Sequence, residues 1–155
     1  MIQGKIISYM DDITEVKYIR KKVFCDELLV PENIEFNDLE QDAMYVIVYD
    51  IEDNKKAVAT GKINYNGTSC EIDKIAVLKE YRGLYYGDFT VKMLINKAFT
   101  AGVNDVYVIC PITMKEFYHK IGFKIEEYYI QNNIQVCRMV IRADLVKKSC
   151  NGCKH

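Results

Sequence analysis

The chain has little charge of either sign to spare: 21 lysines and arginines face 22 aspartates and glutamates, a formal net charge of -1 over 155 residues. Without a basic surplus or stripe, general nucleic-acid binding is not expected. No apolar run approaches the length of a membrane span, so no membrane association is expected either. The first residues lack a basic segment followed by a long apolar run, which argues against a signal peptide and for a cytoplasmic protein. Repeats, linkers and low-complexity segments are missing as well. One domain is therefore expected over residues 1–146, followed by a polar tail at residues 147–155. At this length roughly two thirds of the unfolded chain's surface can be buried, enough for a proper core.

A metal-ligand set is also lacking. Cys150 and Cys153, with His155 beside them, have ligand chemistry, but structural zinc needs a second pair at matching spacing and none is present, so no metal is expected. Four of the six cysteines, at positions 25, 70, 110 and 137, lie in apolar segments and read as small hydrophobes. Reduced thiols are the default for a cytosolic protein. The G-x-G-x-x-G spacing and alternating βαβ pattern of dinucleotide folds are absent, which disfavours a flavin or nucleotide binder.

What is present is a clear series of elements. Residues 4–9 read as a strand, and Asp12 with Glu15 three positions later predicts a capping box for a helix reaching to about residue 28, striped by Val16, Ile19 and Val23. Residues 29–41 read as a polar connection rich in carboxylates. Strands follow at residues 43–49, 57–65 and 69–78, the last two joined by a hairpin turn at Asn66-Gly67. Phe89, Met93, Leu94, Ile95, Ala98 and Phe99 predict an amphipathic helix that Gly102 stops. A strand over residues 106–110, a short helix ended by Gly122, and a hairpin of residues 123–129 and 134–141 around Asn132-Asn133 complete the order.

The most informative stretch lies between the third of those central strands and the long helix: Arg82-Gly83-Leu84-Tyr85-Tyr86-Gly87. A strand, a glycine-bearing turn and a helix N-terminus together can hold a phosphate or pyrophosphate, because the first helical N–H groups lack intrahelical acceptors and sit at the positive end of the dipole. Arg82 adds a positive charge.

This order, with residues 82–87 matching a Q/R-x-x-G-x-G/A signature and Phe117-Tyr118-His119-Lys120-Ile121-Gly122-Phe123 matching a Phe-Tyr-x-x-x-Gly-Phe segment, resembles the GNAT superfamily of acyl-CoA-dependent N-acyltransferases. Arg20 to Phe24, Glu27, Pro31, Glu35, Phe36 and Asp38 are further similar to a bacterial subgroup of uncharacterised GNAT proteins. One position departs from the signature: Tyr85 stands where the family has its middle glycine.

The resemblance implies an α/β (α+β) fold, a mixed, mostly antiparallel central sheet of about seven strands flanked by about four helices. It implies an N-acetyltransferase moving the acetyl group of acetyl-CoA directly to a primary amine of a small molecule or peptide, as a monomer or homodimer. A non-catalytic acyl-CoA-binding or sensing domain is the alternative. The backbone around Ile75, Ala76 and Val77 is implied to meet the pantetheine arm and thioester. Arg82, Gly83, Leu84, Tyr85, Tyr86, Gly87 and Asp88 are implied to hold the pyrophosphate, largely through amides. Tyr118 is implied as general acid, since a phenol of pKa ~10 can protonate a thiolate. Glu71, or a water, is implied as base, with Asp73 on the same strand face. Glu27, Glu35 and Asp38 border the implied acceptor pocket, where with Asp73 they are expected to attract a cationic amine. Cys110 is expected to line the acyl pocket and His119 to lie at the surface. No supporting group accompanies them for a Cys-His mechanism.

Overall fold

The computed structural model describes residues 1–37 and 43–143. In chain order the elements are β1 (Ile2–Ser8), α1 (Thr14–Arg20), a π-helical segment (Lys21–Glu27), α2 (Glu32–Glu35), β2 (Met44–Asp50), β3 (Lys56–Asn66), β4 (Ser69–Val77), α3 (Tyr86–Thr100), β5 (Asp105–Pro111), α4 (Lys115–Ile121), β6 (Lys124–Gln131) and β7 (Ile134–Arg142). The seven strands form a mixed sheet in the order β1-β2-β3-β4-β5-β7-β6. The chain falls into two compact units, residues 1–64 with 72–94, and residues 65–71 with the part that follows residue 94.

In the first unit β2 runs antiparallel to β1, with Ile2 opposite Asp50 and Ser8 opposite Met44, and antiparallel to β3 with a register shift between Val48 and Tyr49. The Tyr45-Val46-Ile47-Val48 run is buried on both faces, as a central strand requires. The expected stripe of the first helix is the buried one: Val16, Ile19 and Val23 pack with Ile7, Tyr45, Ile47, Ala76 and Leu78. Each such fully buried aliphatic side chain contributes roughly 1.5–3 kcal/mol.

Two expectations change here. The first helix does not stay α-helical to residue 28: from Lys21 it is π-helical, closed by the Leu28 N–H donating to the Val23 carbonyl at 3.1 Å. The capping box is not formed as expected either. The Asp12 carboxylate takes the Thr14 N–H and hydroxyl at 3.0 and 2.6 Å, and Glu15 accepts the Tyr49 hydroxyl at 2.9 Å. The connection that follows holds the short helix α2, whose first bonds run from the Ile34 and Glu35 amides to the Pro31 carbonyl.

In the second unit β7 lies between β5 and β6, antiparallel to both. The Asn132-Asn133 turn is as expected, both residues at positive φ (52° and 63°). At the other hairpin Asn66 still belongs to β3, and the turn residues are Gly67 and Thr68, of which only Gly67 takes positive φ. Both α3 and α4 end in the same paired bonds. Gly102 and Val103 donate to the Phe99 and Ala98 carbonyls, and Gly122 and Phe123 to those of His119 and Tyr118, satisfying otherwise orphaned acceptors.

Candidate functional site

The turn singled out by the sequence joins β4 to α3. After Val77, the Leu78 amide donates to the Val58 carbonyl, a single 3₁₀ turn covers Lys79–Tyr81, and Arg82 is extended. Gly83 (φ 79°) and Tyr85 (φ 70°) then take left-handed backbone conformations. The first α-helical bond of α3 is Phe89 N–H to the Tyr85 carbonyl, 3.0 Å. The amides of Tyr86, Gly87 and Asp88 therefore precede the ladder and have no acceptor within the helix, at the positive end of a 15-residue dipole. This geometry also accounts for the glycine that Tyr85 replaces: the position is left-handed. Tyrosine tolerates it with its side chain out in solvent, 79% exposed.

Arg82 does not stand as a free positive charge. Its Nε donates to the Val77 carbonyl at 3.0 Å, and its Nη1 and Nη2 bond the Glu27 carboxylate at 2.6 and 2.7 Å. These bonds hold the Glu27 carboxyl below its ordinary range and push the guanidinium up. Glu27, expected beside an acceptor amine, thus faces Arg82, the first residue of the turn into α3. A cleft of about 410 Å³ lies next to this pair, edged by Tyr18, Lys22, Asp26, Lys56, Lys79 and Glu80.

The start of α3 is fixed by two tyrosines whose roles the sequence does not announce. Tyr81 and Tyr86 meet edge to face, ring centroids 5.9 Å apart. The Tyr81 hydroxyl bonds the Asp53 carboxylate, and burial, with Asp50 beside it, pushes the Tyr86 phenol up. The bond to Asp53, more than burial, drives the Tyr81 phenol up to about 12. Asp53 lies in the connection between β2 and β3, and its use as an anchor depends on the partner that folding brings to it.

β4 carries the remaining carboxylates. Cys70 and Ile72 are buried and Glu71 is exposed, the alternation of a strand with one wet face. The alternation stops at Asp73, Lys74 and Ile75, all half-buried, because Lys74 is left-handed at φ 53°. Beyond that kink Ala76 and Leu78 join the core beside α1, while Ile75 reaches Gly61, where an added Cβ would lie 2.8 Å from its Cδ1 and 2.7 Å from Leu94 Cδ1.

Glu35 is 2% exposed. Its Oε1 accepts from Arg20 Nε at 2.8 Å and its Oε2 from Lys74 Nζ at 3.0 Å. Both oxygens are engaged by cations of the protein, so its charge is not presented to solvent. Asp38 and the Cys150, Cys153 and His155 tail lie outside the described residues.

Tyr118 sits on α4, 5% exposed, edge to face with Phe117 and Phe123 at centroid distances of 4.9 and 5.6 Å. The bonds that end α4 at Gly122 and Phe123 fix its backbone carbonyl. His119, next in sequence, is exposed, as its helical phase predicts. Cys110 is buried on β5, its sulfur 3.7 Å from that of Cys137, and burial pushes its thiol up to about 12. A thiol so reluctant to ionise is a poor nucleophile. Among the described residues no group of three or more His, Cys, Asp or Glu is placed to hold a metal ion, and no helix is long and apolar enough to cross a membrane.

Comparison with known proteins gives this geometry its context. The chain is 27% identical over 115 residues to the uncharacterized N-acetyltransferase YjcF of Bacillus subtilis (strain 168), covering 74% of this chain and 80% of that protein. Its fold is similar to that of an acyl-CoA N-acyltransferase from Pseudomonas aeruginosa, with a TM-score of 0.75 at 16% identity over 92% of this chain and 100% of that one. It is also similar in fold to the ribosomal-protein-S18-alanine N-acetyltransferase from Escherichia coli, with a TM-score of 0.71 at 13% identity over 90% and 94% of the two chains. The model of the Acetyltransferase (GNAT) family matches residues 11–123, which hold both the left-handed turn into α3 and the Tyr118 segment, and the chain belongs to that family of acyltransferases.

Proposed function

We propose that the chain transfers the acetyl group of acetyl-CoA to a primary amine of a small molecule or peptide, directly and with both substrates bound. The observation that supports the donor half is the turn into α3. Gly83 and Tyr85 bend the backbone left-handed, and the amides of Tyr86, Gly87 and Asp88 are left at a helix N-terminus, where a pyrophosphate is the natural anion. In this reading Gly83, Leu84 and Tyr85 complete the cradle with their amides. Arg82 shapes it through its bonds to Val77 and Glu27, and the main chain of Ile75, Ala76 and Val77 meets the pantetheine arm.

The amine nitrogen attacks the thioester carbonyl carbon, the C–S bond breaks, and the sulfur leaves as a thiolate. Tyr118 gives that thiolate its proton. Glu71, exposed on β4, takes the proton that the amine loses, directly or through a water. Asp73, half-buried on β4, is assigned to a cationic acceptor in this reading, while Glu27 belongs with Arg82 and Glu35 with Arg20 and Lys74.

The test is CoA release from acetyl-CoA with a panel of primary amines. Release that depends on the amine is expected, and Tyr118→Phe should lower kcat by about 10²-fold or more at an unchanged KM for acetyl-CoA. Release indifferent to every amine would overturn the transfer reaction. Unaltered turnover in Tyr118→Phe would remove Tyr118 as the acid.

A further inference from the structure

We propose that Glu35 and Lys74 are positioning residues for the acyl donor: their ion pair holds β4 in the left-handed kink from which Ile75, Ala76 and Val77 offer their main chain. The inference rests on the donor reading above and deepens it.

The starting point is a misfit between residue and conformation. Lysine at φ 53° in the middle of a strand occupies a region that L side chains avoid and glycine enters freely. Conformations of this kind persist only where their surroundings over-determine them. At Lys74 the surroundings are explicit. Its Nζ reaches Glu35 Oε2 at 3.0 Å and lies 5.5 Å from the centre of the Phe24 ring.

The far end of the tether is rigid. Glu35 is 2% exposed, Arg20 is fully buried, and Arg20 holds Glu35 twice, through Oε1 at 2.8 Å and through the main-chain oxygen at 2.7 Å. Arg20 also lies over Phe36, 5.4 Å from its ring centre. A carboxylate clamped in this way cannot follow Lys74, so Lys74 must come to it.

Glycine at position 74 would permit the kink, whereas lysine permits it at a cost and ties it to α1 and α2. Stability alone does not call for such an arrangement, because buried ion pairs are often replaceable by apolar residues without loss. The placement is specific: the kinked residue directly precedes the three whose main chain is assigned to the thioester arm. Glu35 therefore acts through β4 and not by touching an acceptor amine.

Two substitutions at one site separate the possibilities. Lys74→Ala removes the tether and keeps the conformational penalty, while Lys74→Gly removes the tether and lifts the penalty. In the absence of ligand, amide hydrogen exchange at Ile75, Ala76 and Val77 should be faster in Lys74→Ala and close to wild type in Lys74→Gly. CoA affinity by calorimetry, and KM for acetyl-CoA, should weaken about tenfold in Lys74→Ala, ~1.4 kcal/mol. Affinity should return to within about threefold in Lys74→Gly, ~0.7 kcal/mol, with kcat little changed in both variants. Equal behaviour of the two variants, whether both intact or both impaired, would overturn the inference. If wild-type protein fails to bind CoA while the exchange pattern is as stated, the donor reading is what fails and the tether stands.

Discussion

Replacing Tyr85 with glycine isolates the cost of the departure from the family signature. Its φ of 70° places a large L side chain in the left-handed region, at roughly 1–2 kcal/mol. Glycine removes that strain but gives back about 0.5–1 kcal/mol by loosening the unfolded chain. The side chain is 79% exposed, so little burial is lost with it. The expected net gain is about 0.5–1 kcal/mol, or roughly 1–4 °C in Tm for a chain of this size. Thermal and urea unfolding of Tyr85→Gly and Tyr85→Ala, measured together, give the answer. Alanine shares the left-handed penalty, so it should sit near wild type while glycine gains. Equal stability of the two variants would show that backbone strain at position 85 is not the reason for a glycine in the signature. CoA affinity in Tyr85→Gly should be retained, since the position is expected to contribute an amide and not a ring.

The Glu27 carboxyl is held low by Arg82, so its pair stabilises the fold fully above the ordinary glutamate value of 4.5 and loses that contribution as pH falls through the lower folded value. Because the side chains are 34% and 40% exposed, Glu27→Gln should cost no more than about 1 kcal/mol at pH 7. Urea unfolding should show the difference from wild type shrinking as pH falls below about 4.5; a gap that stays constant with pH throughout the acid range would sink this account. Gly61→Ala places a methyl 2.7 Å from Leu94 and 2.8 Å from Ile75, and overpacking of this kind costs about 1–3 kcal/mol. A Gly61→Ala protein as stable as wild type would mean that both side chains give way freely.

The elements themselves are written locally. Alternation and turn residues mark the strands, as at Asn132-Asn133, and glycine stops the helices, as at Gly102 and Gly122, because each of these signals acts over a few neighbouring residues. The strand, turn and helix of the candidate site were legible for the same reason. The π-helical course of Lys21–Glu27 carried no such signal, and neither did the short helix α2 in a stretch that reads as polar loop.

The fate of the charged side chains belongs to tertiary structure. By sequence Glu27 and Glu35 read as carboxylates bordering an acceptor pocket, and Arg82 as a positive charge at the turn into α3. Folding brings Arg82 to Glu27 across 55 residues and Lys74 to Glu35 across 39. A carboxylate's role depends on which cations lie within a few ångströms and how much water is left, and no local pattern encodes either. The sequence by itself determined the order of elements and the glycine-bearing turn into α3. Only the folded chain decided that Arg82 is paired, that Glu35 is buried, and that Lys74 kinks the strand beside the turn, since these depend on contacts between residues distant along the chain.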